Sequence, residues 1–296
     1  MKKMENMGGF FVAAITPFDA QGKFNAKALH AVMDKTIGEG AAGFLVGGSS
    51  AECPLLTHQE REEGLVAASQ YAERARTKLM ASVAALSTEE AIAYAKLAKE
   101  LSYDAMISTV PYYYKFGMKA IAGYFRALRE AVDLPLFLYN FPGNTGIEID
   151  IADEHIRGIL TDGTIAGVKQ TSLNLHQMER IKAMNPELVI YGGFDEVYIG
   201  ARILGADGAI GSTFNFTLPL FTKIEAAYAA HDIPLAQELQ RRANNIMQAC
   251  VSCSLFPSIK HMLYTQGIDC GGCRAPFPTL TDEQKAYVEK IVAENM

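Results

Sequence analysis

The sequence predicts an α/β fold: a TIM (β/α)8 barrel over residues 1–230, with additional C-terminal helices over residues 231–296 packed on it. Three observations carry this reading. Eight short apolar runs recur along the chain, capped helical segments lie between them, and successive runs start about twenty to about forty residues apart. That spacing is the length of one βα unit. Eight units by about residue 230 suit a closed barrel, in which each strand is covered on both faces and reads as a continuous apolar run. A chain of 296 residues is long for one domain, but barrels of roughly 250 residues are a known exception.

In chain order, the first run is residues 10–15 and the second is 43–46, which leads into Gly47-Gly48-Ser49-Ser50-Ala51-Glu52. Residues 57–70 form an amphipathic helix with an acidic first turn, before the third run at 79–83. Ser87-Thr88-Glu89-Glu90 opens the next helix as a capping sequence, and the fourth run follows at 105–110. The fifth run, 136–139, ends in Tyr139-Asn140-Phe141-Pro142, and the sixth, 165–169, ends in a lysine. The seventh and eighth are 188–191 and 208–210. No low-complexity stretch, linker or charge block marks a domain boundary. Beyond residue 230 the pattern is helical, with residues 235–263 reading as one helix that contains no glycine and a single proline, Pro257.

Composition excludes several classes. Apolar residues make up 49% and charged ones 20%, enough apolar mass for a large core. A net charge of −6 with no basic cluster gives no electrostatic footprint for nucleic acid. No apolar run approaches the roughly 18 residues that cross a membrane. Met1-Lys2-Lys3 followed by an apolar stretch resembles a secretory leader, but Glu5 interrupts it and a first barrel strand explains the stretch equally well. The expected location is the cytoplasm. Cys250-Val-Ser-Cys253 and Cys270-Gly-Gly-Cys273, with sixteen residues between them, have a zinc-ribbon spacing. The first pair lies in a helical stretch rather than on a turn, so the cysteines read as reduced, mostly buried thiols with no metal site. A zinc module for partner binding is the competing reading.

Barrel active sites form where the strands end at their C-terminal rim. After the second strand, two glycines and two hydroxyls let backbone N–H groups and Oγ atoms converge on an anion, although such turns are common in βα units. At the end of the fifth strand Tyr139 reads first as a packing residue with a wet hydroxyl. The sixth strand is the informative one, because Ile165-Ala166-Gly167-Val168-Lys169 places a lysine in line with a buried run. Lysine is rarely buried without a partner, and burial disfavours an ammonium. A neutral amine is the nucleophile that imine formation needs. A lysine snorkelling at the rim is the bland alternative. Tyr139 lies one βα unit earlier, so both side chains can face the same mouth.

Gly47-Gly48-Ser49-Ser50-Ala51-Glu52, Tyr139-Asn140-Phe141-Pro142, Gly167-Val168-Lys169-Gln170-Thr171 and Gly205-Ala206-Asp207-Gly208-Ala209-Ile210-Gly211-Ser212 together resemble the ordered motifs of the dihydrodipicolinate synthase / N-acetylneuraminate lyase family. The resemblance covers essentially the whole chain. It implies a barrel with C-terminal helices, a homotetramer, and a class I pyruvate aldolase that forms a Schiff base without metal or organic cofactor. By resemblance Lys169 is the nucleophile and Tyr139 the acid/base, relayed through Ser49 to a neighbouring subunit's tyrosine, taken as Tyr113 among Tyr112, Tyr113 and Tyr114. Ser49 and Ser50 bind the pyruvyl end, and Ser50 holds its carboxylate. Thr171, Gly193, Asp195, Glu196 and Ser212 line the other side. Ala51 stands where the family has glycine, and an alanine of positive φ there would be strained.

The two branches differ in what faces the second substrate. The synthase branch uses an arginine after the tyrosine-asparagine motif, where this chain has Asn144. Gly192-Gly193-Phe194-Asp195-Glu196 is similar to the lyase pattern, and its two carboxylates suit a polyhydroxylated chain. An acidic first turn on the following helix is the alternative reading of the same pair. The resemblance therefore points to sialic acid cleavage into pyruvate and N-acetylmannosamine. The remaining alternatives are another 2-oxo acid aldolase, with Ala51 or Asn144 marking a different aldehyde, and a non-catalytic sugar-acid binder.

Overall fold

The protein is described over residues 7–296 in a computed structural model. The leader-like residues Met1, Lys2, Lys3 and Glu5 lie outside the described residues. Every apolar run becomes a strand: β1 Gly9–Ala13, β2 Gly43–Val46, β3 Lys78–Ser82, β4 Ala105–Thr109, β5 Leu136–Asn140, β6 Gly167–Gln170, β7 Val189–Gly192 and β8 Gly208–Gly211. All pairings are parallel, and β8 returns to β1, closing the barrel.

Strand side chains alternate between two apolar environments. Phe11, Ala13, Leu45, Met80, Ile107, Phe137, Tyr191 and Ile210 fill the barrel interior. Phe10, Val12, Phe44, Met106, Leu138, Val168 and Ile190 face the surrounding helices instead. Burial on both sides is why the runs read as continuously apolar.

The helices are α1 Ala26–Gly38, α2 His58–Ala75, α3 Thr88–Glu100, α4 Met118–Ala131, α5 Pro142–Thr145, α6 Glu154–Thr161, α7 Leu175–Met184, α8 Tyr198–Ile203, α9 Phe214–Ala229, α10 Ile233–Cys253, α11 Leu255–Thr265 and α12 Asp282–Asn295. Ser87 caps α3 by accepting from the Glu90 N–H, and Thr57 and Glu60 form a reciprocal capping box on α2. α2 runs past the expected end at residue 70 and stops at Arg76, whose φ is 54°. The single helix expected over 235–263 is instead two, α10 and α11, broken at Ser254 with φ 101°. Pro257 has no N–H to give the Cys253 carbonyl, so one continuous helix would lose a bond and clash there. Placed in the first turn of a new helix, the same proline costs little. α10 lies against both α9 and α12, which joins the extension to the barrel. Among the described residues no helix is long and apolar enough to cross a membrane.

Candidate active site

Register builds the centre of the site. Tyr139 on β5 pairs with Lys169 on β6, which in turn pairs with Tyr191 on β7. Neighbours in a parallel ladder point to the same face, and strand parity directs these side chains into the barrel. Lys169 is 4% exposed, and its Nζ lies 4.1 Å from the centre of the Tyr139 ring. It makes no hydrogen bond or ion pair among the described residues. The Tyr139 ring presents its π face to the lysine. The Tyr139 ring is itself fixed by stacking on Phe141, with centroids 5.5 Å apart and planes 14° from parallel. Behind the two strands, the Asn140 and Gln170 side-chain amides both donate to Gln177 Oε1, at 3.0 and 2.9 Å. That buried knot ties the ends of β5 and β6 together.

The loop after β2 forms two short 3-10 turns, Ser49–Ala51 and Cys53–Leu55. Ser50 is buried, and its Oγ lies 2.6 Å from Ser212 Oγ at the end of β8. The strain expected at Ala51 is absent, because Ala51 sits within the first turn. The left-handed residue is Glu52, at φ 59° and ψ 28°.

On the adjacent loops, Thr171 follows β6 and Gly193 follows β7. A Cβ on Gly193 would overlap Thr171 Oγ1, so the sequence needs glycine there for close approach. Gly193→Ala is expected to displace Thr171 and, where Thr171 touches the substrate, to raise KM about tenfold. An unchanged KM in that variant would remove Thr171 from the binding wall. Among the described residues Thr171 Oγ1 and Glu196 Oε2 are buried without a hydrogen-bond partner.

Asp195 is buried, and its carboxylate accepts from Thr213 Oγ1 at 2.6 Å and from the Thr213 N–H at 3.1 Å. Burial raises its pKa to about 6 and Glu196 adds repulsion, while the Thr213 bonds and the Lys169 charge oppose the rise. Burial also raises the Glu196 carboxyl. A raised carboxyl pKa stabilises the fold below the ordinary aspartate value, and that contribution is lost as pH rises through about 6. The stability of the wild type over Asp195→Asn should therefore be greatest at low pH. It should shrink by about 2 kcal/mol between roughly pH 4 and pH 7.5. Chemical denaturation of both proteins across that range measures it, and a constant difference would contradict the raised value.

A cavity of about 500 Å³ opens beside Ser49, Tyr139 and Asn144 and runs outward past Arg61, Glu90 and Tyr112. Lys169 does not line it. Asn144 also borders a second cavity of about 420 Å³ beneath Phe256 and Phe277. Tyr113 lies outside both and is 74% exposed, so within one chain it is not joined to Ser49 or Tyr139.

Sequence reasoning missed the groups that hold these loops. Gln240 on α10 donates to the Asp195 carbonyl at 3.0 Å, and Asn244 donates to the Glu196 carbonyl at 3.1 Å. Two amides four residues apart on one helix face were the available signal, but nothing local said what they would meet. The cysteines do not gather. Among the described residues no three His, Cys, Asp or Glu side chains form a metal-binding group. Burial pushes the Cys250, Cys270 and Cys273 thiols up to about 12.

The closed β/α barrel with a buried lysine facing a tyrosine on its neighbouring strand, together with the chain's family and relatives, makes the protein a lyase of the class I aldolase type. The chain belongs to the dihydrodipicolinate synthetase family, whose model matches residues 6–295. It is 32% identical over 295 residues to an N-acetylneuraminate lyase of Escherichia coli, covering 98% of each chain. Its structure is similar to that of CdNal from Clostridium difficile in complex with mannosamine, at a TM-score of 0.93 and 31% identity, covering 98% of this chain and 99% of that one. A dihydrodipicolinate synthase of Bacillus anthracis has the same fold, with a TM-score of 0.92 at 24% identity and 97% of each chain covered.

Proposed function

We propose that this protein is an N-acetylneuraminate lyase, cleaving the sugar acid reversibly to pyruvate and N-acetylmannosamine. The observation that carries the reading is the register pairing of Lys169 with Tyr139 at the barrel mouth. Next to them, on the loops after β6 and β7, stand the oxygen groups of Thr171, Asp195 and Glu196. Asn144, where the synthase branch has arginine, borders the cavity beside Tyr139. The identity to the Escherichia coli lyase points the same way.

In this mechanism Lys169 Nζ attacks C2 of the open-chain substrate, and loss of water leaves a protonated imine. Tyr139, as phenolate, takes the C4 hydroxyl proton. The C3–C4 bond then breaks, its electron pair moves into the imine, and N-acetylmannosamine leaves as the aldehyde. The Tyr139 phenol returns its proton to C3 of the enamine, and water then adds to the resulting imine to release pyruvate and the free lysine. Ser50, beside Ser212, holds the pyruvyl carboxylate. A phenol is a weak acid at neutral pH, so Tyr139 works with the imine charge and a relay through Ser49 to a neighbouring subunit's Tyr113. The exposure of Tyr113, packed edge-on against Tyr114 at 5.0 Å, suits a residue contributed to a second copy. The reading implies a cytoplasmic homotetramer that needs no metal or organic cofactor.

The test is borohydride trapping with N-acetylneuraminate, followed by peptide mass spectrometry. A pyruvyl-sized adduct on Lys169 supports the lyase. An adduct from pyruvate but not from the sugar acid keeps the aldolase and rejects this substrate. No adduct from either rejects the function.

A further inference from the structure

The loop that presents Ser49 and Ser50 is anchored from the far end of the chain. Glu52 follows the two serines in a left-handed conformation that disfavours an L side chain, so the surroundings must hold it there. Its side chain is fully buried. Lys260 Nζ on α11, 2% exposed, stands 2.8 Å from Glu52 Oε1, charge against charge rather than as an aligned hydrogen bond. The Arg274 N–H donates to Glu52 Oε2 at 2.6 Å. Lys260 also donates to the Gly272 carbonyl at 2.8 Å, and its ammonium and the Arg274 guanidinium lie 4.4 and 4.3 Å from the Phe18 ring centre. On the barrel side, Thr16 Oγ1 donates to the Ala51 carbonyl at 2.7 Å. Lys260 of α11 and the segment after α11 thus meet the β2 loop at one carboxylate, and the β1 loop holds the residue just before it.

A buried ion pair is expensive to desolvate and weak evidence for stability by itself. Its position suggests a different use. We propose that Lys260 and the Arg274 N–H are positioning groups for the carboxylate end of the 2-oxo acid, acting through Glu52 to fix the turn that carries Ser49 and Ser50. The inference rests on the aldolase reading above and extends it, since it makes the C-terminal helices part of the binding machinery.

The experiment measures the pyruvate concentration that half-saturates borohydride trapping on Lys169, together with the thermal midpoint. The proteins are wild type, Glu52→Gln and the double variant Glu52→Gln/Lys260→Met. Glu52→Gln strands the Lys260 charge and should lower the midpoint. The double variant removes both charges, so it should recover folding even if the single variant does not fold. In the double variant half-saturating pyruvate should remain raised about tenfold or more, with the maximal trapped fraction unchanged, because a displaced turn weakens binding without removing the nucleophile. A double variant that saturates like wild type overturns the inference while leaving the aldolase intact. A wild type that pyruvate does not label overturns both.

Discussion

Lys169→Met abolishes turnover, by at least about 10⁴-fold, and leaves no borohydride-sensitive adduct with pyruvate or sugar acid. The size of the effect follows from the chemistry: without the amine there is no imine, and no electron sink for the breaking carbon–carbon bond. The fold should survive. Lys169 is buried, yet among the described residues it has no hydrogen bond or ion pair to lose. Methionine fills a similar space without a polar head to desolvate. The thermal midpoint of the variant should therefore equal or exceed that of wild type, the usual relation when a functional polar group is removed from a buried site. Residual cleavage within tenfold of wild type would show that a different residue carries the covalent step.

Tyr139→Phe separates binding from proton transfer. The ring remains, with its stacking on Phe141 and its face toward the lysine, so imine formation with pyruvate should persist. Loss of the hydroxyl should lower the rate of carbon–carbon cleavage about 10²- to 10⁴-fold, the range for one general acid–base group. Single-turnover cleavage beside pyruvate trapping distinguishes the two steps. If both fall together, Tyr139 shapes the lysine's environment rather than moving the proton. If neither falls, the proton goes elsewhere.

Much of this architecture was legible in the amino-acid order. The eight strands were readable because a parallel barrel buries both faces of each strand, and that burial leaves an unbroken apolar run. The anomaly at Lys169 was readable for the same reason, since a charged side chain stands out against such a run. Helix ends were less legible. The continuous apolar periodicity of 235–263 hid the break at Ser254, because a proline in the first turn of a helix looks the same in sequence as one that interrupts a helix. The left-handed residue of this loop is Glu52 rather than Ala51, because two consecutive 3-10 turns place it between them.

By itself, then, the sequence determined which residue types stand at the strand ends and the period that brings them to one mouth. Local pattern and chemistry suffice for that, since strand parity and a thirty-residue offset are properties of the chain alone. Only the tertiary structure decided who holds those residues in place. Glu52 meets Lys260 and Arg274 across more than two hundred residues, and Asp195 and Glu196 are held by Gln240 and Asn244 on α10. Contacts between side chains so far apart depend on how the last helices pack against the barrel, and no local periodicity encodes that packing.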